Sequence, residues 1–452
     1  MSTGVDAERL RRLHEREVAR FVADRPASAA LHAEASANMP GGVPMSWMVK
    51  WPGPFPVYVQ SALGAHFTCV DGIDHVDLCL GDTGAMSGHS PAATVAAVRQ
   101  QLGQGITAML PTADAPVAAA ELARRFGLPQ WQFTLSATDA NRHVIRYARH
   151  VTGRPKVLVV DWCYHGTVDE TFATLGDDGT VVPRRGNIGA PVPPSETTVV
   201  VPFNDVPALE AALARGDIAC VLLEPAMTNI GIVLPDAGYH DALRRLTREH
   251  GVLLVMDETH TLCAGPGGCT AAWGLDPDVV VVGKTIGGGI PTGAFGMSQE
   301  LSDRVSAAVD LEDIDVGGVG GTLAGNALSM AAVRSTLTEV LTDEAFAHMV
   351  ELAVRWTDGV QGVLDDTGAP WHVTRIGCRA EYAFSPAAPH DGAEAAASDD
   401  FALQQYLHLH ALNRGLLLTP FHNMALMSPA TTEKDVDQHT AAFADCAAEL
   451  FA

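Results

Sequence analysis

Lys284 is the residue whose type and setting most suggest chemistry. The chain has 29 Lys plus Arg, of which only Lys50, Lys156, Lys284 and Lys434 are lysines, leaving 25 arginines. Such a composition uses Arg wherever a positive charge suffices. A lysine that survives in it is a candidate for work that needs an amine. Lys284 follows Val279-Val-Val-Val-Gly and opens onto Thr-Ile-Gly-Gly-Gly. A primary amine at the end of a buried run can lose its proton and condense with a carbonyl, which a guanidinium cannot do. The expected chemistry is that of a Schiff-base lysine.

A second apolar run, Val252-Leu-Leu-Val-Met, ends in Asp257, 27 residues before Lys284. Adjacent strands of a doubly wound sheet would bring the two side chains to one crevice. A buried carboxylate beside such a lysine suits a pyridine cofactor. Asp257 would keep the ring nitrogen protonated, making the ring an electron sink, while Lys284 forms the imine with its aldehyde. The cofactor's phosphate also needs a cradle. Ser136-Ala137-Thr138-Asp opens a helical segment, where small residues let backbone N–H groups approach an anion; an ordinary N-cap would read the same way. Further candidates are Tyr164 and His165 beyond the run Lys156–Asp161, an aromatic there being able to stack on a flat ring. Glu224-Pro-Ala-Met-Thr-Asn229 and the glycine-rich turn Gly320–Asn326 complete the set.

The elements that position these residues follow from periodicity. Residues 6–24 predict an amphipathic helix ended by Pro26. Short strands are expected at 57–59 and 66–70, and a helix at 92–102 launched by Ser90-Pro91. From about 110 to 300, short Val/Leu runs alternate with helical segments such as 206–214 and 239–250. That pattern means βαβ units and a mostly parallel sheet. Asp161, Glu224, Asp257 and Lys284 all stand at run ends, where such sheets bind ligands. After 330 come an Ala-rich helix, an alternating stretch at 376–384, a surface loop at 386–400 and a final helix at 433–450. The expected organisation is 1–90 as the first part of a small domain, 91–330 as the large domain and 331–452 as the rest of the small one.

Composition narrows the function. The formal net charge of −24 argues against nucleic acid and anionic membranes as partners. The eight cysteines form no CxxC pair and no zinc spacing, so a reduced, cytoplasmic protein with no metal site is expected. The first twenty residues are charged and carry no apolar signal core, and no apolar run is long enough for a membrane span. Neither GxGxxG nor GxxxxGK[ST] follows a strand, which disfavours a nucleotide-binding or regulatory protein.

Taken in order, Met39-Pro-Gly-Gly, Gly88-His-Ser-Pro, Thr138-Asp-Ala-Asn, Tyr164-His-Gly, Glu224-Pro…Asn229, Asp257-Glu, Gly283-Lys284…Gly-Gly-Gly and Gly321-Thr322…Gly-Asn resemble the class III pyridoxal-phosphate aminotransferases of fold type I. The resemblance is to the branch that includes glutamate-1-semialdehyde aminomutase and β-amino-acid transaminases. It implies an α/β fold: a mostly parallel sheet in the large domain, and a smaller α+β domain built from both ends of the chain. It implies pyridoxal 5'-phosphate as cofactor, with Lys284 as internal aldimine and proton shuttle. Asp257 would pair with the pyridine nitrogen and Tyr164, followed by His165, would stack on the ring. Ser136, Ala137 and Thr138 would hold the phosphate, and Glu224 and Asn229 would support the crevice. Thr322 would reach the phosphate of a neighbouring subunit, implying a homodimer. The implied reaction is amino transfer between a small-molecule donor and a keto acid in two half-reactions, with an aminomutase or epimerase on the same scaffold as the alternative.

The chain also departs from the family. Ala137 stands where Gly is usual, and His260 where the branch often has Met. The stretch 43–51 lacks the Arg that β-amino-acid transaminases of the branch tend to carry, and Met45, Trp47, Met48 and Trp51 would make an apolar wall instead. Arg379 is the remaining candidate to hold a substrate carboxylate, with pairing to Glu381 as the competing role. His260 is a candidate to face the substrate.

Overall fold

The computed structural model describes residues 3–308 and 318–451. The chain divides into two compact units. One comprises Met1–Pro91, Glu344–Ala388 and Ala397–Ala452; the other comprises Ala92–Asp343 and Pro389–Ala396.

The second unit is built on a seven-stranded sheet. Its strands, in chain order, are β1 (Gln130–Thr134), β2 (Lys156–Val160), β3 (Thr198–Val201), β4 (Ile218–Leu223), β5 (Leu253–Asp257), β6 (Val279–Val282) and β7 (Gly293–Met297). Their spatial order is β1-β7-β6-β5-β4-β2-β3. The run from β6 to β3 is parallel, and β7 lies antiparallel between β6 and β1. Strands β4, β5 and β6 are buried at every residue. Burial on both faces explains why they read as continuous Val/Leu runs rather than alternating ones. The helices Val206–Leu213 and Tyr239–Glu249 supply crossovers close to the expected bounds. The amphipathic helix Ala137–Thr152 buries Val144, Ile145 and Ala148 and ends on Gly153, whose φ of 67° closes the helix in the left-handed region.

The first unit combines helices with two small sheets. Helix Ala7–Asp24 starts where the Asp6 carboxylate accepts a hydrogen bond from the Arg9 amide at 2.7 Å. Phe21 on its inner face packs with Leu409 and Leu412 of helix Phe401–Leu412. One sheet has the order Val59–Leu63, His66–Cys69, Asp74–Asp77, Leu416–Leu417. The other is antiparallel, with the order His372–Ile376, Arg379–Ala383, Met424–Leu426.

Two sequence expectations change. The stretch 376–384 is not one strand: Gly377 (φ 54°) turns the chain, and Ile376 pairs with Arg379 across a hairpin. The loop expected at 386–400 contains a short helix, Gly392–Ala397. Gly392 packs on Asp161 and Trp162, where a β-carbon would come within 2.8 Å of the Asp161 carbonyl. Its missing side chain is what allows that approach. Among the described residues, no helix is long and apolar enough to cross a membrane.

Candidate active site

The carboxyl edge of the sheet collects the residues singled out by type. β5 and β6 run parallel, with Asp257 opposite Val281, so Asp257 and Lys284 leave the sheet at the same edge. Lys284 begins the 3-10 turn Lys284–Gly287 and has a φ of 51°, unusual for a residue with a side chain. Its amine Nζ lies 2.5 Å from His260 Nε2.

Asp257 is caged. His165 Nδ1 lies 2.9 Å from Asp257 Oδ2, the Asn141 side-chain amide donates to the same oxygen at 2.9 Å, and the Thr259 amide donates to Oδ1 at 3.1 Å. Asn141 also donates to the His165 carbonyl at 3.1 Å, fixing the loop. Burial alone would push the Asp257 pKa up. Hydrogen bonds from His165, Thr259 and Asn141 outweigh it and hold the carboxyl below the usual range. Burial likewise disfavours the His165 imidazolium, but Cys163 and Asp257 raise its pKa overall. Asp257 therefore stays anionic, with the His165 ring behind it, ready to accept a further hydrogen bond.

The segment 136–138 forms the start of helix Ala137–Thr152. Ser136 caps it, its hydroxyl accepting from the Asp139 amide at 3.2 Å. The first N–H groups of a helix lack intrahelical partners and lie at the positive end of its dipole. Ala137 is outside the left-handed region, so replacing Gly there carries no backbone strain. Three glycines close around this turn. A β-carbon on Gly283 would meet the Ala137 methyl at 2.9 Å; one on Gly293 would run into Ser136, and one on Gly166 into the Thr138 hydroxyl. The Thr167 amide donates to Thr138 Oγ1 at 3.2 Å. The loop bearing Tyr164 and His165, the loop bearing Lys284 and the helix start are thus in direct contact. Tyr164 is 40% exposed.

Glu224 and Asn229 support these loops. Glu224 accepts from the amide and hydroxyl of Thr228. Its pKa is pushed up to about 7 by burial, with Thr228 pulling the other way. Asn229 donates to the Trp162 carbonyl at 3.0 Å. Asp161, also at a strand end, has a structural role: its carboxylate accepts from Thr174 Oγ1 at 2.5 Å and from the Leu175 amide at 3.2 Å. Thr322 is exposed and lines a hollow with Met109 and Leu110.

Trp47, Met48 and Arg379 belong to the other unit. Trp47 and Met48 lie on the 3-10 turn Ser46–Lys50, with Trp47 41% exposed and edge-on to Phe421. Arg379 is 0% exposed and lies 3.3 Å from Glu381, which also sits 3.2 Å from His422 Nδ1.

A buried anionic carboxylate, a lysine amine at the same sheet edge and a helix start with glycine-lined approaches form a donor set for a phosphorylated pyridine aldehyde. The sequence profile of the family Aminotransferase class-III matches residues 48–446. The chain belongs to the class III aminotransferase family. Its cofactor is pyridoxal 5'-phosphate, and its fold is that of the fold type I enzymes. This class III enzyme is 32% identical over 428 residues to the glutamate-1-semialdehyde 2,1-aminomutase of Anaeromyxobacter sp. (strain Fw109-5), covering 92% of this chain and 98% of that one. The crystal structure of a glutamate-1-semialdehyde-aminomutase from Pseudomonas aeruginosa PAO1 superposes with a TM-score of 0.97 at 48% identity, covering 99% of this chain and 100% of the other. An omega-transaminase from Sphaerobacter thermophilus superposes with a TM-score of 0.85 at 29% identity, covering 94% and 98%.

Reading the sequence alone left Asn141 and the glycine cradle without roles. Asn141 is 0% exposed within a helix, four residues after Ala137. A polar residue on the buried face of an amphipathic helix was the available signal.

Proposed function

We propose that this enzyme moves an amino group between neighbouring carbons of one small amino-carbonyl acid, as a glutamate-1-semialdehyde 2,1-aminomutase does. The observation behind this reading is the 48% identity to the Pseudomonas aeruginosa enzyme across almost the whole of both chains. When bound, the cofactor supplies an aldehyde that condenses with amines and a ring that takes up the electron pair released when a proton leaves the adjacent carbon.

The chain's residues divide the remaining work. Lys284 Nζ holds the cofactor at rest, then removes the proton at one carbon and returns it at another. Asp257 would keep the ring nitrogen protonated, with His165 and Asn141 holding Asp257 in place. Ser136, Ala137 and Thr138 would bind the phosphate at the helix start, and Tyr164 would lie against the ring. Glu224 and Asn229 hold the surrounding loops. Thr322 of one copy completes the phosphate site of a second, and the exposed Met109, Leu110 and Leu323 beside it suit burial in a homodimer.

The test supplies glutamate-1-semialdehyde with no keto acid. Many turnovers to the isomer bearing the amine on the neighbouring carbon support the mutase. A reaction that stops after one turnover, and resumes only when a keto acid is added, contradicts it. The second outcome is what an intermolecular transaminase would give, a reading that has the Sphaerobacter thermophilus similarity behind it.

A further inference from the structure

The loop after Asp257 turns His260 back toward the lysine, with Nε2 at 2.5 Å and Nδ1 at 3.5 Å from Lys284 Nζ. Rigid neighbours fix both partners. The backbone around His260 is tied by the Leu262 amide to the Glu258 carbonyl at 2.9 Å and by the Cys263 amide to the His260 carbonyl at 3.2 Å. Beneath it the Glu258 carboxylate accepts from Thr261 Oγ1 at 2.5 Å, the Cys269 amide at 3.1 Å and the Thr270 amide at 2.5 Å. On the other side, Lys284 leads into the buried Thr285 and Ile286. The two carboxylates flanking the loop are engaged elsewhere: Asp257 with His165, Asn141 and Thr259, and Glu258 with Thr261, Cys269 and Thr270.

An ammonium has only protons to give, so the nearer nitrogen of His260 must accept and its own proton sits on Nδ1. A charge-assisted hydrogen bond of this kind stabilises the protonated amine. Lys284 enters that state each time it takes a proton from carbon.

We propose that His260 is a positioning residue for Lys284, accepting a hydrogen bond from the freed amine and stabilising it once it has captured a proton. This rests on the reading of Lys284 given above. It assigns the unusual residue at 260 to the lysine rather than to the substrate.

The experiment labels the full chain, freed of cofactor, with an amine-acylating reagent at one fixed pH and reads the labelling rate of the Lys284 peptide by mass spectrometry. An acceptor that holds the amine in its protonated form slows acylation, so removing it speeds labelling. The labelling rate is expected to rise by about tenfold in His260→Leu and to hold in His260→Gln, which retains an acceptor. In the loaded enzyme, exchange of the substrate's carbon-bound proton with solvent should slow by about tenfold in His260→Leu and recover in His260→Gln. A labelling rate unmoved by His260→Leu, or moved equally by both variants, overturns the proposal. Borohydride fixation of the cofactor tests the parent reading separately: attachment away from Lys284 sinks that reading whatever the labelling shows.

Discussion

His165 Nδ1 and Asp257 Oδ2 are 2.9 Å apart, with only 1% and 3% of the two residues exposed. Removing one member of such a pair strands the other charge in the interior. His165→Leu is expected to destabilise the protein by about 3–5 kcal/mol in urea unfolding at neutral pH. The pH window follows from the two shifts. The lowered carboxyl pKa gives stability present above the ordinary carboxyl range and lost in acid; the raised imidazole pKa gives stability present below the ordinary His value and lost as pH rises through the folded value. The deficit of the variant should therefore shrink at both extremes. A deficit that does not change with pH would show that His165 acts by packing alone.

Asp257→Asn keeps the shape of the side chain and removes its charge. We expect retained cofactor and a loss of turnover on the order of a hundredfold or more, since the ring nitrogen loses its anionic partner. Turnover close to wild type would mean that Asp257 does not serve the ring.

Glu224 offers a stability test of opposite sign. Burial raises its pKa from 4.5 to about 7. Below the lower value both folded and unfolded chains hold the proton. Between the two, only the folded chain holds it, so the wild type loses stability as pH rises through this window, by up to about 3 kcal/mol. Glu224→Gln has no charge to bury. Its unfolding midpoint should gain on wild type from pH 4.5 to 7 and stay level above that; a gap that is constant with pH contradicts this account.

Gly166 has a φ of 78° and faces the Thr138 hydroxyl with no room for a side chain. Gly166→Ala should push the Tyr164–Gly166 loop off the helix start. A loss of about 1–3 kcal/mol in cofactor binding is expected from the overpacking, read as a weaker Kd in a cofactor titration. An unchanged Kd would remove the 136–138 segment from the phosphate site.

Arg379 separates two roles. Its complete burial and its contact with Glu381 favour a structural ion pair over a substrate anchor. Arg379→Ala is expected to cost about 3–5 kcal/mol of stability. A raised KM with an unmoved unfolding midpoint would restore the substrate role.

Much of the sheet was legible because strands buried on both faces leave unbroken Val/Leu runs. β5 and β6 fall within the runs read from the sequence, and Asp257 and Lys284 stand at their ends for that reason. β7 was not legible: Gly-Ala-Phe-Gly-Met has no β-branched residue, and it is a strand because β1 and β6 pair with it on both sides. The hairpin at Gly377 was missed because one glycine inside an alternating stretch marks a bulge as readily as a turn. The candidate site was legible as residue types at one sheet edge but not by partnership. Nothing in the spacing of His165 and Asn141 tells that both meet Asp257, since the first contact depends on a loop reaching from β2 across β4 to β5 and the second on the helix that follows β1. His260 stood out only as an odd residue, and its place against Lys284 emerges from the turn that follows Asp257.

The proposed function stands on Lys284 carrying the cofactor. Borohydride reduction of the loaded enzyme, followed by peptide mass mapping, tests it most directly. The reduced cofactor is expected on the Lys284 peptide, and in Lys284→Ala no adduct and almost no turnover, with an unchanged unfolding midpoint. An adduct on Lys50, Lys156 or Lys434 in the native enzyme would contradict it.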